Sequence, residues 1–392
     1  MTQPTDVRRV PGSPPRVLAL CAGYGGLEEA IRAGIGGVPV AYAENDPYAA
    51  AVFAAHHPGV PNLGDITAVD WRQVRDVYAP DVVGAGFPCR NISNAGRRDG
   101  INGQWSRVWK NVAEAVGVIR PRYVFLENVA ALRSRGLDVV AADLAAVGYD
   151  ARWTCLRAGD PEVGAPHPRD RWFAVAYPAA EDPHVAAWGQ RRPATAGEAE
   201  EGRARPDAGG RSGLPVPAPA GNLTLLPTPA ARDWKSGASN LLGRNARPLN
   251  EVVVNLLPTP TAHRYGRNRS ASPGASSRPS IEYLARDLAD RQWVATDGTD
   301  FGPAIRRWEQ VTGRAAPCPT EPGTRGNRRL SPAFAEGLMG LPAGWVTAVP
   351  GIPRKEQLKI IGNGVIWQQA HHAYGLLLGA RTPLRLDGRA AA

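Results

Sequence analysis

The strongest constraint on the fold is an alternation in the first 178 residues. Short apolar runs, RVLAL (Arg16–Leu20), VPVAYA (Val38–Ala43), Val82–Gly84, YVFL (Tyr123–Leu126) and WFAVA (Trp172–Ala176), read as strands. Helical patterns separate them at Leu27–Ala33, Tyr48–His56, Val108–Ile119 and Val139–Val147. Strand and helix alternating at this spacing predict an α/β domain whose sheet is mostly parallel and covered by helices on both faces.

The alternation stops after Ala176. Residues 178–221 are rich in Pro, Gly, Ala and charge, which predicts a flexible insert that buries little. A weak repeat follows, LLPTPAARDW at Leu225 and LLPTPTAHRY at Leu256, read as two similar loops of one irregular domain. From Leu225 to Ser280 eight Lys/Arg face two acidic residues, so this part is a candidate polyanion surface. Regular pattern returns near Arg328. RRLSPAFAEGLMGLPAGW reads as a capped helix and a turn, and LKIIGNGVIWQQAHHAYGLLLGA as a Gly-Asn-Gly turn entering a closing helix. Three segments result: 1–177, 178–327 as a smaller irregular domain, and 328–392 packing back on the first.

Charge and cysteine usage narrow the chemistry. The net charge of +10 and pI near 9.8 point to nucleic acid as a partner. Cys21, Cys89, Cys155 and Cys318 include no CxxC pair, and the histidine pairs are neighbours whose side chains diverge. Neither a metal nor a disulfide framework is expected. No apolar run has the length of a membrane span and the N-terminus has no signal-peptide core, so the expectation is a cytoplasmic protein of a bacterium or of a virus-infected host.

Ligands of open α/β sheets gather at the carboxyl ends of strands, and several strands here end unusually. The first runs into CAGYGG (Cys21–Gly26), a glycine-rich turn before a helix. The second ends in Glu44, 18 residues after Gly26, a spacing that suits ribose hydroxyls. Gly64-Asp65-Ile66-Thr67 offers an acceptor and an apolar face to a base. Val82–Gly84 leads to Phe87-Pro88-Cys89, where proline stiffens the turn before a thiol. YVFLENV places Glu127 and Asn128 at the next strand end. A nucleophile and an acid on adjacent strand ends form a working pair. Arg169 and Arg171, two apart before another strand, share a face if both are extended, and so are expected to grip one ligand.

In this order the segments CAGYGG, AENDPYA, GDIT, GFPCRNIS, LENV, PHPRDR, RRLSPAFAEGLMGLPAGW and IGNGV resemble the motifs of the DNA cytosine-C5 methyltransferases, which use S-adenosylmethionine. The resemblance covers most of the chain outside 178–327. It departs at Cys21, where an aromatic residue is usual, at Arg90 in place of Gln, at His167 in place of Gln, and at Gly364, where Ala or Ser is commoner.

The resemblance implies a Rossmann-like methyltransferase fold with a target recognition domain at 178–327. It implies Cys89 as the thiolate that adds to cytosine C6, Glu127 at N3 and the exocyclic amine, and Arg171 with Arg169 at O2. Asn128 would position the Cys89 loop. The cofactor would meet Gly23, Gly25, Gly26, Glu44, Asp65, Ile66, Pro88, Asn363 and Val365. The loop Arg90–Arg107, with Arg90, Ser93 and Arg97, would close over a flipped base. Sequence choice is placed at Leu225–Ser280, on Arg232, Lys235, Asn240, Arg244, Asn245, Arg264, Arg267 and Asn268. A monomer acting on double-stranded DNA is expected. A tRNA cytosine methyltransferase, a same-fold enzyme transferring a modified group, and a silent DNA-binding protein remain alternatives.

Overall fold

Period-two alternation within each apolar run divides the side chains between two faces of one sheet. Leu18, Leu20, Val83, Ala85, Val124, Leu126, Trp172 and Ala174 point into one core, and Val17, Val82, Phe125, Phe173 and Val175 into another. The computed structural model describes residues 13–88, 107–179, 223–234, 248–254, 256, 267–268, 278–279, 293–295, 298–323 and 328–379. The elements of the first part are β1 (Arg16–Leu20), α1 (Gly26–Ile35), β2 (Val38–Ala43), α2 (Pro47–His56), α3 (Trp71–Tyr78), β3 (Val82–Gly86) and α4 (Arg107–Ile119). They continue with β4 (Tyr123–Val129), α5 (Leu132–Arg135), α6 (Leu137–Ala146), β5 (Tyr149–Arg157) and β6 (Asp170–Pro178).

The six strands lie in the order β2-β1-β3-β4-β6-β5. β2, β1, β3 and β4 are parallel, and β6 and β5 close the sheet antiparallel. One face carries α3, α4 and α6 through Trp71, Val112 and Leu144. The other carries α1 and the closing helix Trp367–Leu377 through Ile31, Ala370 and Tyr374. The expected doubly covered, mostly parallel sheet is therefore observed. β5, which the sequence reading did not foresee, is an edge strand whose Asp150, Thr154 and 45%-exposed Trp153 interrupt the apolar pattern.

Strand order reverses between β1 and β3, so a crevice opens at their carboxyl ends. Local signals fix the helices around it. Asp46 caps α2 by accepting from the Tyr48 and Ala49 amides, with Pro47 in the first turn. Ser331 caps the helix Pro332–Leu338, as the sequence predicts.

The IGNGV segment departs from expectation. Gly362 and Asn363 do not form the turn; they end a helix, Arg354–Asn363, and the chain turns at Gly364–Ile366. The described parts of 223–323 share one apolar cluster with residues 330–366, including Leu226, Val253, Trp293, Trp308, Phe334 and Ile361. The boundary drawn at 328 falls inside this cluster. Arg307, on the helix Gly302–Thr312, ties it to the first part by donating to the carbonyls of Gly159, Gly164 and Ala165.

Candidate active site

The crevice is a cavity of about 480 Å³, within the range of small-molecule sites. It brings together Gly23, Glu44, Asp65, Ile66, Pro88, Glu127, Asn128, Arg171 and Asn363, nine of the residues singled out by sequence. Cys89, Arg90, Ser93, Arg97, Lys235, Arg244 and Arg264 lie outside the described residues. So do Asn240 and Asn245, and the side chains of Arg267 and Asn268. Arg232 is described and exposed.

The first wall is built from strand ends. Glu44 closes β2, and its two carboxylate oxygens accept from the amides of Gly23 (2.9 Å) and Asp46 (2.9 Å). Each oxygen keeps acceptor capacity, so two hydroxyls of a ribose have somewhere to donate. Burial raises the Glu44 carboxyl above its ordinary range, and the Asp46 and Gly23 amides oppose this. Gly23 has a left-handed φ of 56° and open space where a Cβ would stand. Asp65 accepts from the Thr67 amide (2.9 Å) and hydroxyl (2.8 Å), which lower its pKa. Ile66 adds an apolar face.

The floor carries a buried ion pair. Glu127, at the end of β4, is buried and ion-paired to Arg171 Nε of β6 at 2.9 Å. Burial raises its pKa, and Arg171 and then Arg169 counteract. Gly86 pairs with Glu127 across the strands and leaves the strand mouth open there. Asn128 donates to the Phe87 carbonyl at 3.2 Å, two residues before Cys89. The described thiols near the sheet are poor nucleophiles: burial, followed by Glu44, Asp65 and Glu28, raises Cys21 far above the usual range, and burial pushes Cys155 up to about 11.

Four expected site residues stand elsewhere. Gly25 caps α1 in a left-handed conformation. Gly26 abuts the Val365 carbonyl, which a Cβ would overlap. Val365 packs in the core under the closing helix. Arg169 does not line the cavity beside Arg171. It precedes β6, is 3% exposed, and donates to the carbonyls of Pro229, Gly362 and Gly364.

The second wall comes from Lys359, Ile360, Gly362, Asn363 and Gly364. Lys359 was not foreseen. It sits one turn before Asn363, and recognition of the helix would have placed both on one face. Its Nζ meets Asp46 at 2.6 Å and Glu356 at 3.0 Å. The departure at Gly364 has a steric reason: a Cβ there would overlap the Tyr24 ring, and the Tyr24 hydroxyl donates to the Val365 carbonyl at 2.6 Å. Among the described residues no cluster of His, Cys, Asp or Glu is placed to hold a metal, and no helix is long and apolar enough to cross a membrane.

Residues 16–207 match the C-5 cytosine-specific DNA methylase family. The matched region is similar to the catalytic region of that family's members. It is 33% identical over 162 residues to the type II methyltransferase M.CviJI of Paramecium bursaria Chlorella virus IL3A, a match covering 41% of this chain and 42% of that one. To the type II methyltransferase M.NlaX of Neisseria lactamica it is 30% identical over 167 residues, covering 41% and 52%. The chain thus spans about half the length of these curated relatives. In shape it is similar to the Entamoeba histolytica methyltransferase EhMeth, with a TM-score of 0.50, 12% identity, and coverage of 94% of this chain and 99% of that one. That likeness is one of fold, a Rossmann-like, mostly parallel sheet.

Proposed function

We propose that this protein transfers a methyl group from S-adenosylmethionine to C5 of a flipped cytosine in double-stranded DNA through a covalent Cys89–C6 adduct. The observation that carries the reading is the Glu127–Arg171 pair on adjacent strand ends, beside the Phe87-Pro88 turn that leads into Cys89. The cavity suits the cofactor: it offers carboxylate acceptors at Glu44 and Asp65, the apolar Ile66, and Gly23 without a side chain to obstruct. When bound there, S-adenosylmethionine supplies an electrophilic methyl group.

The protein's own groups do the rest. Cytosine C5 is a weak nucleophile, and addition of the Cys89 thiolate to C6 makes it an enamine carbon. Glu127, kept prone to protonation by burial, shares a proton with N3 as electron density moves onto the ring. Arg171 holds the ring at O2 and, through Nε, orients Glu127. After C5 gains the methyl group, its proton leaves to a base and the C6–sulfur bond breaks, returning the thiolate. Asn128, through the Phe87 carbonyl, holds the turn from which Cys89 acts. The target atom is inaccessible in a stacked duplex, so the base must leave the helix. The exposed Arg232 and the basic residues of Leu225–Ser280 are assigned to DNA contact.

The test incubates the full chain with labelled S-adenosylmethionine and either duplex DNA or tRNA, then analyses the nucleosides. 5-Methylcytosine in DNA is expected. Label confined to tRNA, or to another position of the base, refutes the reading. Duplex DNA carrying 5-fluorocytosine should trap a denaturation-resistant adduct, and Cys89→Ala should lose both the adduct and turnover.

A further inference from the structure

Arg169 is a buried cation whose described side-chain hydrogen bonds all go to main-chain carbonyls. Nη1 donates to Pro229 (3.3 Å), Nη2 to Gly362 (3.3 Å) and Gly364, and the Arg169 amide donates to Thr228 Oγ1 at 3.1 Å. The Arg169 carbonyl accepts from Gln369 Nε2 at 2.9 Å. Burying a guanidinium is costly unless its donors are satisfied. The planar fork here joins three chain segments that are distant in sequence. One leads into β6, one is the first LLPTP loop, and one is the cavity wall at Gly362–Gly364.

A second observation fixes the same wall from behind. Gly362 has no room for a Cβ, because the Ala230–Ala231 peptide of that loop lies directly against it. The loop is anchored in turn by the Leu226 amide on the Pro166 carbonyl (2.7 Å), and within it Asp233 accepts from the Ala230 amide (2.7 Å). The 225–234 stretch is therefore built into the catalytic half, and Arg169 is the rivet through it.

We propose that Arg169 is a positioning residue that fixes the Gly362–Gly364 wall and thereby sets cofactor affinity, while the grip on the base belongs to Arg171. This rests on reading the cavity as the cofactor site. Arg171 lines the cavity and touches Glu127; Arg169 does neither, and its carbonyl partners flank Asn363. A lysine at 169 keeps the charge but presents one point donor in place of a fork, and cannot span the Pro229, Gly362 and Gly364 carbonyls together.

The test compares wild type, Arg169→Lys and Gly362→Ala, all as full-length chains. It measures S-adenosylmethionine dissociation constants by calorimetry, KM and kcat, and adduct trapping on 5-fluorocytosine duplex. Arg169→Lys is expected to weaken cofactor binding at least tenfold, with KM for the cofactor rising more than kcat falls. Gly362→Ala, which disturbs the wall without touching the cation, is expected to weaken it in the same direction. Thermal melting shows whether each variant is folded. If Arg169→Lys does not fold, Gly362→Ala and Thr228→Val decide. Cofactor affinity equal to wild type in folded variants, with kcat or trapping lost, assigns Arg169 to the base and overturns the proposal. A wild type that binds no cofactor removes the reading of the cavity as well, which variants binding like wild type would not.

Discussion

The two walls of the cavity are held in opposite ways. The first is local: Gly23 and Glu44 are 21 residues apart, Asn62 and Glu44 are 18 apart, and Asp65 and Thr67 are two apart. The second is a helix end pinned to the rest of the fold by distant partners. Tyr24 reaches Val365 across 341 positions, Lys359 reaches Asp46 across 313, and Arg169 reaches Gly362 across 193. A wall that forms with its own strand ends is tied to the fold of the sheet. A wall held by distant partners is adjustable by single changes that leave the sheet and the Glu127–Arg171 pair in place.

The largest expected effect lies on the floor where the walls meet. Glu127→Gln keeps the shape of the side chain but removes the proton exchange with the base that we propose for it and weakens its pairing with Arg171. Turnover is expected to fall by about 10²–10⁴-fold, the usual yield of a positioned acid–base group, while duplex affinity changes by less than about tenfold. Equal losses in binding and rate would make Glu127 a binding group only.

The contact between the walls gives the next effect, read in stability. Gly364→Ala drives a Cβ into the Tyr24 ring, and overpacking of this kind costs about 1–3 kcal/mol. Tyr24→Leu opens that space but strands the buried Val365 carbonyl, at a cost of about 1–3 kcal/mol. Denaturant melts of the double variant should show less than the sum of the two losses, because the leucine makes room for the methyl group. Strict additivity would mean that Tyr24 does not dictate the glycine.

The same division decides what could be read from sequence. β1–β4 and β6 are apolar runs with both faces buried, so pattern alone placed them and, with them, Glu44, Glu127 and Arg171. β5 escaped because an edge strand with Asp150 and Trp153 exposed has no such run. The helix Arg354–Asn363 escaped because Gly362-Asn363-Gly364 has the composition of a turn. The glycine at 362 answers a steric demand from Ala230, 132 positions away, which no local window contains. The two arginines of PHPRDR are equivalent by spacing. They are separated only by where the strand begins, at Asp170, and by carbonyls supplied from residues 229, 362 and 364.

One group in α1 runs against the well-satisfied first wall. Glu28 is 2% exposed, sits against Gly84 of β3, and neither carboxyl oxygen has a hydrogen-bond partner among the described residues. Burial pushes its pKa up to about 8, its own backbone amide opposes this, and Glu29 and Glu44 add to it. The folded protein thus holds a proton that the unfolded chain releases near pH 4.5. The Glu28 contribution to stability falls as pH rises from about 4.5 to 8, by about 1.4 kcal/mol per pH unit at most, and is flat on either side. Glu28→Gln should match wild type near pH 4.5 and melt progressively higher than it toward pH 8. Parallel melting curves across this window would show that Glu28 ionises in the fold without penalty.

The smallest effect tests whether the second wall is also latched at its rim. Lys359 joins the wall to the cap of α2 through Asp46 and to its own helix through Glu356, with its side chain 37% exposed. Such a pair contributes at most about 1 kcal/mol and weakens with salt. It is strong enough to slow the parting of the walls and weak enough to let a ligand leave. Lys359→Met keeps the aliphatic stem beside Ile360 and removes the charge. Stopped-flow displacement should show the cofactor leaving up to about fivefold faster from the variant at low ionic strength. The two proteins should converge as salt rises, because screening removes from wild type what the substitution has already removed. A wild-type release rate indifferent to salt, or a variant that keeps the salt dependence, would mean the rim is not a latch and that the Arg169 seam and the Tyr24–Val365 bond hold the second wall.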